Sequence, residues 1–157
     1  MKYLFTIQGC PVYEDTEHRI CYVARAMIDS DGAPNNPHKD KHWQAETSLT
    51  YQGQPINALT VPYIVVPPAI IHAVPGVVLG CEATVSYKGK SIAAVVADVG
   101  PRDKLGELSV RAAELLGIPS NANTGGISTP SVSYTLTPGR AAVVDGVRYT
   151  LKPSRAR

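Results

Sequence analysis

Residues 91 to 118, SIAAVVADVGPRDKLGELSVRAAELLGI, constrain the fold more than any other stretch. Six apolar residues, Ile92 to Ala97, run without polar interruption, as in a strand buried within a sheet. Asp98 ends the run, and Gly100-Pro101 breaks it. Glu107 stands nine residues after Asp98, at the mouth of a helical pattern. Leu108, Ala112, Leu115 and Leu116 recur at three-to-four spacing, which predicts a helix over about Glu107 to Leu116. Gly117 fits the left-handed position that closes such a helix, with Ile118 packing back onto its last turn. A buried strand that delivers one acid, with a second acid nine residues later, suits paired-carboxylate chemistry. The same two acids also suit plainer tasks, Asp98 in a turn before Gly100 and Glu107 at a helix start.

The rest of the chain reads as short strands punctuated by Pro and Gly. Lys2 to Ile7 is a first strand, interrupted at Gly9-Cys10-Pro11. His18 to Ile28 holds a second apolar run, ended by the turn Asp29-Ser30-Asp31-Gly32. Residues 33 to 42 form an irregular polar loop of the kind that is often functional, and Trp43 lies just beyond it. Ala58 to Val66 is strand-like and is stopped by Pro67-Pro68. Val77 to Tyr87 alternates as a strand, and Lys88-Gly89-Lys90 turns it into Ser91 to Asp98. Pro119 to Pro130 reads as a flexible polar loop. Ser131 to Leu136 and Ala141 to Leu151 close the chain, with a hairpin turn at Asp145-Gly146. Many strands and one helix predict a single mainly β domain over residues 1–157, a small barrel or sandwich, without internal repeats.

A net charge of +2 on 157 residues is too small for a nucleic-acid footprint. No apolar run nears the roughly 18 residues a membrane helix needs. Neither nucleic acid nor membrane is therefore an expected partner, and a monomer is expected. Cys10, Cys21 and Cys81 lack zinc-ligand spacing; Cys10 and Cys21 close a short loop by a disulfide, or all three are reduced thiols. Asp29-Ser-Asp31-Gly opens like a calcium loop but lacks its third ligand and distal Glu. His38 and His42, four apart, lie in a Pro- and Lys-rich setting that argues against a helical metal site. There is no GxSxG nucleophile, and Gly125-Gly126 precedes no helix or Lys that would cradle a phosphate. No metal or organic cofactor is expected.

The segment AVVADVGPRDKLGELSVRAAELLGI resembles the hallmark region of the chitosanases of glycoside hydrolase family 75. There a strand ending in Asp leads through a Gly-Pro-type turn to a G-E-[AGL]-S segment, which opens a helix ending L-G-I. Residues 27 to 34, MIDSDGAP, are similar to the family's acidic turn. Glu46-Thr47-Ser48 is similar to its D-T-S segment, with Glu in place of Asp. Pro62 to Pro67 is similar to its apolar strand with flanking prolines, so the likeness spans about residues 26 to 118 in order. The chain is short for a fungal member and closer in size to a bacterial or phage-encoded relative.

The resemblance implies a six-stranded, double-psi-like β-barrel. It also implies endo-hydrolysis of β-1,4-linked glucosamine polymers with inversion, Asp98 and Glu107 forming the catalytic pair. Asp98, ending an apolar strand, is then expected to be the acid, and Glu107, at a helix N-terminus, the base. A polycationic substrate calls for an acidic cleft. Asp29, Asp31, Glu46 and Asp103 are candidates to line it, with Trp43, Tyr51 or Tyr63 stacking on sugar faces. Two other readings stay open: hydrolysis of peptidoglycan glycan strands, or an expansin-like barrel that grips polysaccharide without cutting it. Either way the expected place of action is cell-wall polysaccharide outside the cell, although the N-terminus displays no secretion signal.

Overall fold

In chain order the strands are β1 (Lys2–Ile7), β2 (Cys10–Glu14), β3 (Ile20–Asp29), β4 (Thr50–Tyr51), β5 (Gln54–Pro55) and β6 (Tyr63–Val66). Helix α1 (Pro68–Ala73) precedes β7 (Cys81–Tyr87), β8 (Lys90–Val99) and β9 (Glu107–Ser109). Then come α2 (Val110–Leu116), β10 (Ile127–Ala141), β11 (Val143–Val144) and β12 (Val147–Arg148). The computed structural model describes residues 1–39, 43–100 and 102–153. Pro101, His42 and the last basic residues of the tail lie outside them.

Six strands close into a barrel in the order β3–β10–β7–β8–β6–β9, with β9 returning to β3. The seams β6–β8 and β3–β9 are parallel, and the other four are antiparallel. Exchanging β3, β6 and β7 with β8, β9 and β10 leaves every pairing and its sense unchanged. The barrel thus has a pseudo-twofold, as the expected double-psi-like architecture requires. β1 and β2 extend the sheet as a hairpin on the edge of β3.

Burial alternates along β3, where Ile20, Tyr22, Ala24, Ala26 and Ile28 face the main core. The seam between β6 and β8 differs, because both of its faces are covered. Ile64, Val66, Ala94 and Val96 belong to the main core, whereas Tyr63, Val65, Val95 and Ala97 pack outward against Leu49, Ile56, Ala58, Val144 and Tyr149. That double burial is the reason Ile92 to Ala97 shows no alternation.

Several expected boundaries move. The helix expected from Glu107 starts at Val110, because Glu107 to Ser109 form a strand held between β3 and β6. It ends as expected, with Gly117 left-handed at φ 75°. Pro67-Pro68 does not only stop a strand: Pro68 opens the short helix α1, where a missing N–H is tolerated. The loop expected up to Pro130 ends earlier, since β10 begins at Ile127. Beyond the Gly9 turn the chain continues as β2. Cys10, Cys21 and Cys81 are free thiols, Cys81 buried in the main core.

Ser109 joins the barrel to α2. It is fully buried, and its hydroxyl donates to the Val61 carbonyl at 2.8 Å. The same oxygen accepts from the Tyr63 amide at 3.0 Å and from the Ala112 amide at 3.2 Å, which caps the helix. One hydrogen and two lone pairs are all in use. Ser109→Ala leaves three backbone groups unpaired and is expected to lower stability by about 2–4 kcal/mol. Urea unfolding followed by circular dichroism measures it; a loss below about 1 kcal/mol would mean that water substitutes for the hydroxyl.

Candidate active site

Strand register brings the acids together. Val65 lies opposite Asp98 on the β8 side and opposite Glu107 on the β9 side. Glu107 in turn lies opposite Met27 on β3, two residues before Asp29. Directly opposed residues share a face, so Asp98, Val65, Glu107 and Asp29 all lie on the outer surface of the barrel. Two strand spacings place the Asp98 and Glu107 backbones about 9.5 Å apart. A bulge at this point of β8, where the register against β6 shifts, lets Asp98 rather than Ala97 face Val65. Gly100 lies beside the second acid: a Cβ there would be in ordinary contact with Glu107 Oε1, at 3.9 Å.

The turn after β3 adds Asp31. Its amide donates to Asp29 Oδ1 at 2.8 Å, and its own Oδ1 accepts from the Gln44 amide at 2.8 Å. Gly32 is needed here: its φ is 76°, and a Cβ would collide with the Ile56 carbonyl. Carboxylate oxygens of Asp29, Asp31 and Asp98 all lie within 4.8 Å of one another. Such a triad can share a proton or hold a cation through its oxygens.

Burial raises the pKa of each of the three strand acids. Asp29, only 8% exposed, is pushed up to about 8, first by burial and then by the Asp31, Asp98 and Glu107 charges. It is therefore protonated at neutral pH. Asp98 is raised by burial, but hydrogen bonds oppose that rise. The Ser48 hydroxyl and amide and the Val99 amide all donate to its Oδ1, the two amides at 3.2 and 3.1 Å. Glu107 is also raised by burial, against the opposing charges of Lys104 and Arg25. Among the described residues, none donates a hydrogen bond to its carboxylate. Because Glu107 stands on a strand rather than in the first turn of α2, the helix dipole does not hold it ionised as the sequence suggested.

The other expected residues fall into two groups. Trp43 is beside the cluster, half-buried, its indole N–H donating to the Ser30 carbonyl at 2.9 Å and Lys39 Nζ 4.3 Å from its ring centroid. Tyr63 is at the cluster but fully buried, so its ring offers no face to a sugar. Its hydroxyl instead donates to the Asp31 carbonyl at 3.0 Å and abuts the Asp29 carboxyl, which makes it a support for the acidic turn. Glu46 is exposed on the loop leading to Ser48, and no bond among the described residues ties it to the acids. Asp103 accepts from the Ala69 amide at 2.9 Å, at the start of α1. Tyr51 packs on Tyr149 at 5.6 Å between centroids.

Ser48 is the participant that sequence reasoning missed. It follows Thr47, whose buried hydroxyl accepts from the Ile56 amide at 2.8 Å, and it precedes Leu49, whose amide donates to the Ala97 carbonyl at 2.9 Å. The first bond ties the loop to Ile56, and the second pins it against the bulge of β8. The only signal in the sequence was the Glu46-Thr47-Ser48 tripeptide; nothing in it singles out the serine.

Asp29 keeps its proton up to about pH 8 when folded, against an ordinary value of 3.8. Between those limits the folded state binds one proton more than the unfolded, so stability falls as pH rises, by up to about 1.4 kcal/mol per unit. Asp29→Asn is expected to match the wild type near pH 4 and to exceed it by pH 8. Asp98 and Glu107 leave a residual slope in the same direction. Urea midpoints across that range check it; an unchanged slope would mean that Asp29 ionises freely. No protein-family model and no curated protein sequence matches this chain.

Proposed function

We propose that the protein is an inverting glycoside hydrolase acting within β-1,4-linked amino-sugar polymers of the chitosan class. The observation that carries the reading is the placement of Asp98 and Glu107 on either side of Val65, each partly withdrawn from water. A backbone separation of about 9.5 Å is compatible with the wider carboxyl spacing that inversion uses, with a water between acid and base. Asp29 and Asp98 lie too close together for that arrangement.

Their environments support roles in the reverse of the order expected from sequence. Asp98, with three donors on one oxygen, is the ionised base, and its second oxygen is left to orient a water. Glu107, buried and without such donors among the described residues, is the acid. Glu107 gives its proton to the glycosidic oxygen as the bond to the anomeric carbon breaks. Asp98 takes a proton from the water, whose oxygen bonds to that carbon from the opposite face. Solvent then returns a proton from Asp98 to Glu107. Neutral Asp29 spares Asp98 one adjacent negative charge.

Reducing-end release from chitosan and from bacterial sacculi, assayed side by side, tests the activity and its substrate. Asp98→Asn and Glu107→Gln should each cut turnover on the better substrate by at least about 10²-fold. Their melting temperatures should stay within a few degrees of wild type. A Glu107→Gln protein that cleaves at the wild-type rate would remove the case for the pair. No release from either polymer would remove the case for hydrolysis.

A further inference from the structure

Arg25 Nε is buried and, among the described residues, has no hydrogen-bond partner. A charged donor withdrawn from water and left unpaired is costly, and it calls for a cause. Its position ties it to Glu107. Ala24 and Ala26 face the core, so Arg25 leaves β3 on the outer face, in line with Met27 and Asp29. Met27 is the residue that lies opposite Glu107. The Arg25 stem also lies against Gly106, immediately before Glu107, where a Cβ would come within 3.1 Å of Arg25 Cγ. The backbone there is fixed. The Tyr134 hydroxyl donates to the Arg25 carbonyl at 2.8 Å, and the Met27 amide donates to the Gly106 carbonyl at 2.7 Å.

We infer that Arg25 is a positioning residue for the proton donor, its guanidinium left unpaired until Glu107 releases its proton and becomes a carboxylate. The role of Glu107 as the acid rests on the glycosidase reading; the pairing of the two side chains rests on the geometry alone. While Glu107 keeps its proton, its carboxyl carries no charge for the guanidinium to meet. Once the proton passes to the glycosidic oxygen, the donor without an acceptor and the carboxylate without a donor satisfy each other in a charge-assisted hydrogen bond. Arg25 gives up no proton in this step, since a guanidinium is not deprotonated in proteins. The bond is therefore stronger after proton transfer than before it, and only such a contact speeds the chemical step. Other charges face Glu107 as well. Against its burial, Lys104 and then Arg25 favour the ionised form, while Asp98, Asp31 and Asp29 oppose it. The phenols of Tyr22 and Tyr134 also sense its charge.

The test follows the Glu107 carboxyl carbon and the Arg25 Nε–H resonance by NMR across a pH titration, with no substrate present. The two signals should move with one midpoint, and Glu107→Gln should abolish the movement of the Arg25 resonance. Arg25→Gln removes a charge that favours the carboxylate, so the Glu107 midpoint should move to higher pH; Arg25→Lys should restore it. An acid must be protonated to act, so the alkaline limb of the rate profile should move upward with that midpoint. Turnover of Arg25→Gln on the low-pH plateau should fall by at least about three-fold, since a weaker acid donates its proton more slowly. An Arg25 resonance that ignores Glu107, or a Glu107 midpoint unmoved by Arg25→Gln, would overturn the inference. Coupled titrations without cleavage of either polymer would leave the pairing and sink the hydrolase. Cleavage with uncoupled titrations would do the reverse.

Discussion

The four residues of β6 hold the rest of the molecule in place. Tyr63 to Val66 are buried on both faces, paired in parallel with β8 on one edge and antiparallel with β9 on the other. Through β9 the barrel closes onto β3. Without β6 the ring opens and the two acids lose their common neighbour, because Val65 is the residue against which both are measured. A closed barrel leaves few edges and fixes register strongly, since a one-residue slip would turn the acids into the core and Ile64 and Leu108 out of it. The same interlock that stabilises the fold therefore sets the spacing of the carboxylates.

That spacing works against stability. Asp29 and Glu107 sit on the adjacent strands β3 and β9, with Asp98 across β6 on β8; they repel one another wherever they are ionised, and burial amplifies the repulsion. The structure answers by three means: a retained proton on Asp29, three donors on Asp98, and the charges of Lys104 and Arg25 near Glu107. None of these abolishes the strain, and raised carboxyl pKa values remain. Buried acids with raised pKa values gathered in one place mark a candidate functional site.

The barrel was legible in the sequence to the extent that its strands obey simple burial rules. The apolar run before Asp98, the hairpin at Lys88-Gly89-Lys90 and the left-handed Gly117 all stand where they were expected. Glu107 was not legible as a strand residue. Leu108 belongs to the barrel core and not to a helix face, yet its spacing from Ala112 and Leu115 imitates helical periodicity. A three-residue strand has too few positions to declare its own period. The acidic turn and Trp43 were visible as local chemistry, but Ser48 depends on pairing with a bulge fifty residues away. Long-range register of that kind leaves no mark on local composition. The part assigned to Tyr63 failed for a related reason, since an aromatic that stacks on ligand and one that is buried look alike in a strand.

The pseudo-twofold places two aspartates at equivalent positions in different surroundings. Ile64 and Leu108 face each other where β6 meets β9, and the exchange of halves carries Val65 to Ser109. Asp98 opposes Val65 and Asp29 opposes Ser109, so the two aspartates are counterparts. Both follow an alanine-rich run, Ala24 to Ile28 in one half and Ala93 to Ala97 in the other. What separates them is the chain that covers each. Asp29 is sealed beneath its own turn, against Asp31 and the Tyr63 hydroxyl, and stays neutral. Asp98 is met by the Ser48 loop, which brings donors rather than another acid. Equivalent positions on a symmetric barrel are not equally covered: Asp29 is buried and Asp98 only half-buried. The loops laid over them decide which one keeps its proton and which one is met by hydrogen-bond donors.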